Sequence, residues 1–432
     1  MDPAHIELKR QALDGQFAPQ RERFNVERVI GHGAEGITFL VTESGTPRLI
    51  PPILPEAPGP RGMKRLRSLT PPNIMRAVSR SFRDLRILKR RRLGGSRSPD
   101  APPAFDRSPS PPAREVLRRL CVKMPHAENS YEGLRNEIAI LRNINGSVHV
   151  VGLIAYRDDP EALAQTLSRR PFPRVPPEQG DFLAGMSGPL LVTEFLENGT
   201  LARLIQRVVD RDVVVPNRIL WAFYLCGVRA CIALAYPKAS YPGTAGVVEE
   251  IPGAAAGVEA YNLVHCDIYT DNVVIGNIDP AVGEHSRVPV MKLIDFGNTA
   301  TDEPAEDAIL YNLCGISEMI YCLIVRRTRA WVIGEERFST WQGIENTARE
   351  LTDIPRLEGP IDPYGHVDME LRDLLCRSMA RDWDNRPLLP VVLGRARNAV
   401  ANKTAASFAL SGTAETDDDI RQFVQQMILD AD

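Results

Sequence analysis

The chain has 432 residues, with 52 Lys and Arg against 55 Asp and Glu and a formal net charge of −3. Its 44% hydrophobic and 25% charged residues are those of a globular protein, which excludes collagen-like, wholly disordered and disulfide-scaffold classes. The near-neutral balance argues against a dedicated nucleic-acid protein. At about 150 residues per domain, the length fits two or three domains or one enlarged two-lobed fold.

Residues 1–20 read as an N-terminal extension: they carry charges throughout and no apolar h-region, so no signal peptide is expected. Phe24 to Val41 reads as two strands around Gly31-His32-Gly33-Ala34-Glu35-Gly36. Glycines at this spacing let backbone N–H groups approach phosphate oxygens without Cβ interference. A Rossmann unit places a helix directly after its glycines, whereas Ile37 to Val41 has strand composition. A hairpin flap over a nucleotide is the expectation, with an ordinary hairpin turn as the alternative.

From Gly45 to Pro112 the chain turns rich in Pro, Arg and Ser, an insert at about 46–113 with too little apolar content to offset its ordering entropy. Between Arg61 and Gly95 it holds twelve Lys and Arg and one acid, Asp84. Lys89 to Arg92 reads as a nuclear-import signal, as a patch for an anionic surface, or as a solvated linker. Ser108 and Ser110 each precede a proline and are candidate phosphorylation sites.

Val116 to Met124 reads as a third strand, and Tyr131 to Ile144 as a helix with Leu134, Ile138 and Leu141 at helical spacing. Lys123 on that strand and Glu137 on that helix are candidates for an ion pair that aims the ammonium at α/β-phosphates. A loop insert at about 157–188 precedes a strand, Leu190 to Phe195, and a second insert-like stretch covers Ala239 to Gly257. From Leu220 onward helices dominate. The most apolar run, Ile219 to Tyr236, is broken by Arg229 and falls short of the roughly 20 residues a membrane span needs, so it reads as a core helix. Seven dispersed cysteines (121, 226, 231, 266, 314, 322, 376) fit buried thiols in a reducing compartment, and the Cys226–Cys231 spacing matches no zinc or redox pattern. These features predict an intracellular protein without a membrane partner, in the cytoplasm, with the nucleus as a second location. At the C-terminus Thr416 caps a helix whose stripe of Ile420, Phe423, Val424, Met427 and Ile428 is expected to pack on the domain or to bind a partner.

The densest chemistry is His265-Cys266-Asp267-Ile268-Tyr269-Thr270-Asp271-Asn272, followed by Leu293-Ile294-Asp295-Phe296-Gly297. Phosphoryl transfer is mainly positioning and charge neutralisation, and needs a carboxylate near the attacking hydroxyl and hard oxygen ligands for magnesium. Asp267, Asn272 and Asp295 are the right chemical types.

From Phe24 to Leu393, omitting the inserts, the chain resembles the protein kinase superfamily. Gly31, Gly33 and Gly36 match its glycine-rich loop, Lys123 its β3 lysine, and Glu137 the αC partner. Thr193-Glu194-Phe195-Leu196 looks like the gatekeeper and hinge, whose backbone at Glu194 and Leu196 would hold adenine. His265, Asp267 and Asn272 match the catalytic loop, Asp295-Phe296-Gly297 the magnesium-binding motif, and Arg386 a buried C-lobe arginine.

The resemblance implies an α+β, two-lobed fold: a β-rich N-lobe at 21–196, a helical C-lobe at 197–400 and a tail at 401–432. It also implies ATP and Mg²⁺ as cofactors, Asp267 as catalytic base, and Asn272 and Asp295 as metal ligands. The implied activity is transfer of the γ-phosphate to a protein Ser/Thr hydroxyl.

Four departures stand against that pattern. Cys266 replaces an arginine that reads an activation-loop phosphate, and Tyr269 a lysine beside the γ-phosphate. The stretch from Gly297 to a helix expected near Ile309 is short, with Glu306 placed to pair Arg386. In addition, 87 positions separate Gly36 from Lys123. The alternatives are an ATP-binding pseudokinase scaffold and a small-molecule kinase with an open cleft.

Overall fold

The structure is a computed structural model, and the residues described are 2–33, 36–45, 115–159, 181–237, 248–329, 338–352 and 362–430. The basic run 61–92, Ser108, Ser110, Ala34 and Glu35 lie outside them. The architecture is α+β, with a five-stranded antiparallel sheet and a helical part.

The sheet has the order β1-β2-β3-β5-β4, from β1 (Phe24–Gly33), β2 (Gly36–Gly45), β3 (Glu115–Met124), β4 (Leu153–Arg157) and β5 (Leu190–Glu194). β1 and β2 form a hairpin paired from Phe24–Glu43 to Gly33–Gly36, with bulges after Val26 and Val29. On β3 the two-residue period sends Leu120, Val122 and Met124 into an apolar cluster and so puts Lys123 on the opposite face. The N-terminal segment, expected only as an extension, is a helix, α1 (Pro3–Phe17), started by Asp2 accepting the Ala4 N–H at 3.0 Å. Leu13 and Phe17 bury against Phe24, Val26 and Val41, and the Phe17 and Phe24 rings lie 5.1 Å apart.

α2 (Tyr131–Ile144) follows β3 and buries Leu134, Ile138, Leu141 and Ile144 in the larger core. That core is built on α4 (Asn217–Ala235) and α5 (Ala305–Val325), with α3 (Leu201–Asp210), α7 (Met369–Ser378) and α8 (Leu389–Asn402) around them; the short α6 (Arg349–Thr352) precedes α7. α4 and α5 are each long and apolar enough to cross a membrane, contrary to the length argument from sequence. The most apolar windows of these two helices are, however, 94% and 67% buried within the protein. α4 is buried along nearly its whole length, and its one buried cation, Arg229, is paired with Glu284.

The tail closes the helical part. Glu415 accepts the Asn217 and Arg218 N–H groups at 2.6 and 3.2 Å, satisfying donors at the start of α4. Thr416 accepts the Asp419 N–H at 3.2 Å at the head of α9 (Asp417–Val424), and Ile420, Val424, Met427 and Ile428 are buried. Two hairpins complete the chain: β6 (Val273–Ile275) with β7 (Met291–Leu293), and β8 (Ser339–Trp341) with β9 (Ile344–Asn346).

Candidate active site

Lys123 joins three elements. Its ammonium lies 2.7 Å from Glu137 Oε2 on α2 and 2.8 Å from Asp295 Oδ1 just beyond β7. Burial opposes the lysine charge, but the two carboxylates overcome it and hold the ammonium above its ordinary range. Burial pushes the Glu137 carboxyl up, with Lys123 pulling it back down and Asp295 adding repulsion.

The helix that supplies Glu137 also holds the backbone past Asp295. Asn136 donates to the Gly297 carbonyl at 2.8 Å and to the Thr299 carbonyl at 3.1 Å.

The β6–β7 hairpin decides which loops meet. Val273 pairs with Leu293, and the Ile294 N–H donates to the Asn272 carbonyl at 3.0 Å, which sets Asp295 beside the 265–272 loop. Within that loop the Asn272 amide donates to Asp267 Oδ2 at 2.9 Å and to the Asp267 carbonyl at 3.0 Å. Burial raises the Asp267 carboxyl; Asn272 and Asn298 lower it by hydrogen bonding, while Asp295 repels it. Cys266 and Asp295 both hold a left-handed backbone, at φ +62° and +66°, which side chains other than glycine adopt at a cost.

His265 braces this geometry from beneath. The Asp267 N–H donates to His265 Nδ1 at 3.2 Å, so the ring donates from Nε2 to the Ile294 carbonyl at 3.1 Å. Its ring meets Phe296 edge-on at 4.8 Å, and burial holds the imidazole down at about 4. Asn312 on α5 accepts the His265 N–H at 3.0 Å and donates to the Leu263 carbonyl at 2.7 Å.

In the glycine-rich hairpin, Gly36 is required by its surroundings. It has φ +151°, and a Cβ there would sit 2.3 Å from the Met124 carbonyl, next in sequence to Lys123. At Gly31 a Cβ would meet nothing nearer than 3.9 Å, so the hairpin does not demand glycine there. Gly33 pairs with Gly36 at the end of β1.

Glu194 and Leu196 do not join the cluster through any side-chain contact among the described residues. Glu194 Oε1 accepts the Gly152 N–H and the Lys292 ammonium, each at 2.6 Å, and Leu196 packs on the larger core. The expected pairing of Glu306 with Arg386 is replaced. Arg386 donates to the carbonyls of Ala380 at 2.9 Å and Leu310 at 3.5 Å, while Glu306 is exposed in the first turn of α5. That helix starts at Ala305, earlier than expected, so the connection from Gly297 is shorter still.

Sequence reasoning missed Arg329. The Thr270 hydroxyl, fully buried, donates to the Thr328 carbonyl at 2.6 Å, and the next residue lays its guanidinium 5.1 Å from the Tyr269 ring centre. Its charge also pulls the Asp267 carboxyl down. Neither α-helical nor strand periodicity marks such a residue, because it reaches the loop from 60 positions downstream of Tyr269.

The chain matches no protein-family model, and a search of curated proteins returns no match.

Proposed function

We propose that the chain is an ATP-dependent phosphotransferase of the protein kinase type, two-lobed, transferring the γ-phosphate to a protein Ser/Thr hydroxyl. The observation that carries this reading is Lys123 held between Glu137 and Asp295 at 2.7 and 2.8 Å, with the Asp267–Asn272 pair beside Asp295.

In this reading Lys123 binds phosphate oxygens as a cation fixed by Glu137, and Asp267 accepts the proton of the attacking hydroxyl. Asn272 directs its amide nitrogen at Asp267, which leaves its oxygen as the donor atom. With the Asp295 carboxylate that oxygen makes a hard donor set suited to magnesium. Bound Mg²⁺ would neutralise charge developing on the phosphates. Neutral His265 fixes the Asp267 backbone through its Nδ1, so the base is positioned without a second titrating group at neutral pH. Arg329 supplies positive charge on the side where Tyr269 stands in place of a lysine. Adenine would lie along the backbone from Glu194 to Leu196.

A second reading, a small-molecule kinase, is favoured by the start of α5 at Ala305, which leaves little chain after Gly297 for a peptide platform. The test is phosphate transfer from labelled ATP with Mg²⁺, to generic protein substrates and to a metabolite library, comparing wild type with Asp267→Ala. Transfer to protein by wild type alone supports the first reading. Transfer to a metabolite alone selects the second. Binding of ATP without turnover identifies a pseudokinase scaffold, and equal turnover by both proteins refutes the role of Asp267.

A further inference from the structure

Away from that cluster, three side chains from distant parts of the chain converge in the interior. His149 precedes β4, Cys226 lies within α4, and His285 lies between β6 and β7; one ligand atom of each falls within 4.8 Å of the others. All three are buried, at 0%, 1% and 3% exposure. The two imidazoles approach Nε2 to Nε2 at 3.0 Å. Glu249, itself 1% exposed, contacts His149 Nδ1 at 2.6 Å and accepts the His149 backbone N–H at 3.0 Å. A carboxylate that accepts a hydrogen bond from Nδ1–H leaves Nε2 as the ligating nitrogen, the arrangement found behind many metal-bound histidines.

We propose that His149, Cys226 and His285 bind a zinc ion, with Glu249 holding His149 in the ligating tautomer. Two nitrogens and a thiolate are a donor set zinc accepts, and a tetrahedral ion needs nitrogens about 3.3 Å apart and sulfur about 3.6 Å from each. The observed separations require side-chain shifts of roughly 1 Å to reach that geometry. The charge closes as well: Zn²⁺, the Cys226 thiolate and the Glu249 carboxylate sum to zero, so loading leaves no uncompensated charge in the interior. Loading releases the thiol proton and moves the bridging proton off the ligating nitrogens. Three protein ligands leave a fourth position for water.

The site has a structural consequence. The His149 carbonyl accepts the Leu293 N–H at 3.0 Å, and the Val151 N–H donates to the Leu293 carbonyl at 3.0 Å. The helix α4 that carries Cys226 packs directly against β7. A bound ion would therefore clamp α4 and the segment before β4 onto β7, the strand that leads directly to Asp295. Sequence spacing hides such a site, because its ligands lie at 149, 226 and 285.

The test uses the full chain, stripped with a chelator and titrated with ZnCl₂ or CoCl₂. Wild type is expected to take up about one zinc per chain, to melt at a higher temperature with zinc, and to show a thiolate-to-cobalt charge-transfer band. Cys226→Ser and His285→Gln, checked for native circular dichroism, are expected to lose the band and at least 90% of the bound zinc. Cys266→Ser, at the exposed thiol, is expected to keep both. No zinc uptake and no cobalt band in wild type would overturn the site, as would a band that survives Cys226→Ser or vanishes with Cys266→Ser.

Discussion

Asn136 donates its side-chain amide to the Gly297 carbonyl at 2.8 Å, so one helix turn holds both the Lys123 partner and the backbone beyond Asp295. Replacing a buried amide leaves the carbonyls of Gly297 and Thr299 without that donor. Asn136→Ala is expected to cost about 1–3 kcal/mol in urea denaturation. It is also expected to raise hydrogen exchange at Phe296 to Thr299 above that of a distant surface control. Unchanged exchange there would show that α2 does not hold this segment.

Lys123 and Glu137 form a buried pair, and removing one partner strands the other. Lys123→Met is expected to destabilise the fold by about 3–5 kcal/mol, because Glu137 is then left buried without its cation. Adding Glu137→Gln to Lys123→Met should recover at least about 1 kcal/mol of that loss. Additive effects in the double-mutant cycle would contradict the pairing.

Gly36 and Gly31 separate two reasons for a glycine. Gly36→Ala drives a Cβ into the Met124 carbonyl and is expected to cost about 2 kcal/mol or more, given both the contact and the positive φ. Gly31→Ala has room and is expected to change stability by less than about 1 kcal/mol. Thermal melts of the two variants give the comparison directly.

His265 makes stability fall with acid. Its folded-state value is depressed to about 4 from an ordinary 6.5, so the unfolded chain binds the proton first as pH falls. The stabilisation is complete above pH about 6.5 and is lost progressively toward pH 4, on the order of 3 kcal/mol from this group. Urea midpoints between pH 7 and 4.5 should show a slope that is shallower in His265→Gln.

Arg329 is exposed, so its removal should leave the fold intact while taking a positive charge from beside Asp267. On the proposed activity, Arg329→Ala is expected to lower turnover by about 10- to 100-fold with an unchanged urea midpoint. Arg329→Lys should restore part of that turnover. Full turnover in Arg329→Ala would assign the guanidinium to packing on Tyr269 alone.

Much of the local structure was legible along the chain. Leu134, Ile138 and Leu141 announced the buried face of α2, Val116 to Met124 announced β3, and Thr416 with the stripe from Ile420 to Ile428 announced α9. The order of Lys123, Glu137, Asp267, Asn272 and Asp295 announced a candidate site. α1 stayed hidden because only Leu13 and Phe17 are fully buried among charged neighbours, too few to mark a stripe.

By itself the sequence determined the strongly periodic elements, such as β3, α2, α4 and α9, together with their apolar faces and the side chains that carry charge, since those follow from periods of 3.6 and 2 residues and from composition. Only the tertiary structure decided the pairings: Asn272 beside Asp295 through the β6–β7 hairpin, Arg329 over Tyr269, and His149 against His285. Periodicity records that a face is covered but not what covers it, because the covering partner is chosen by packing between segments far apart in the chain.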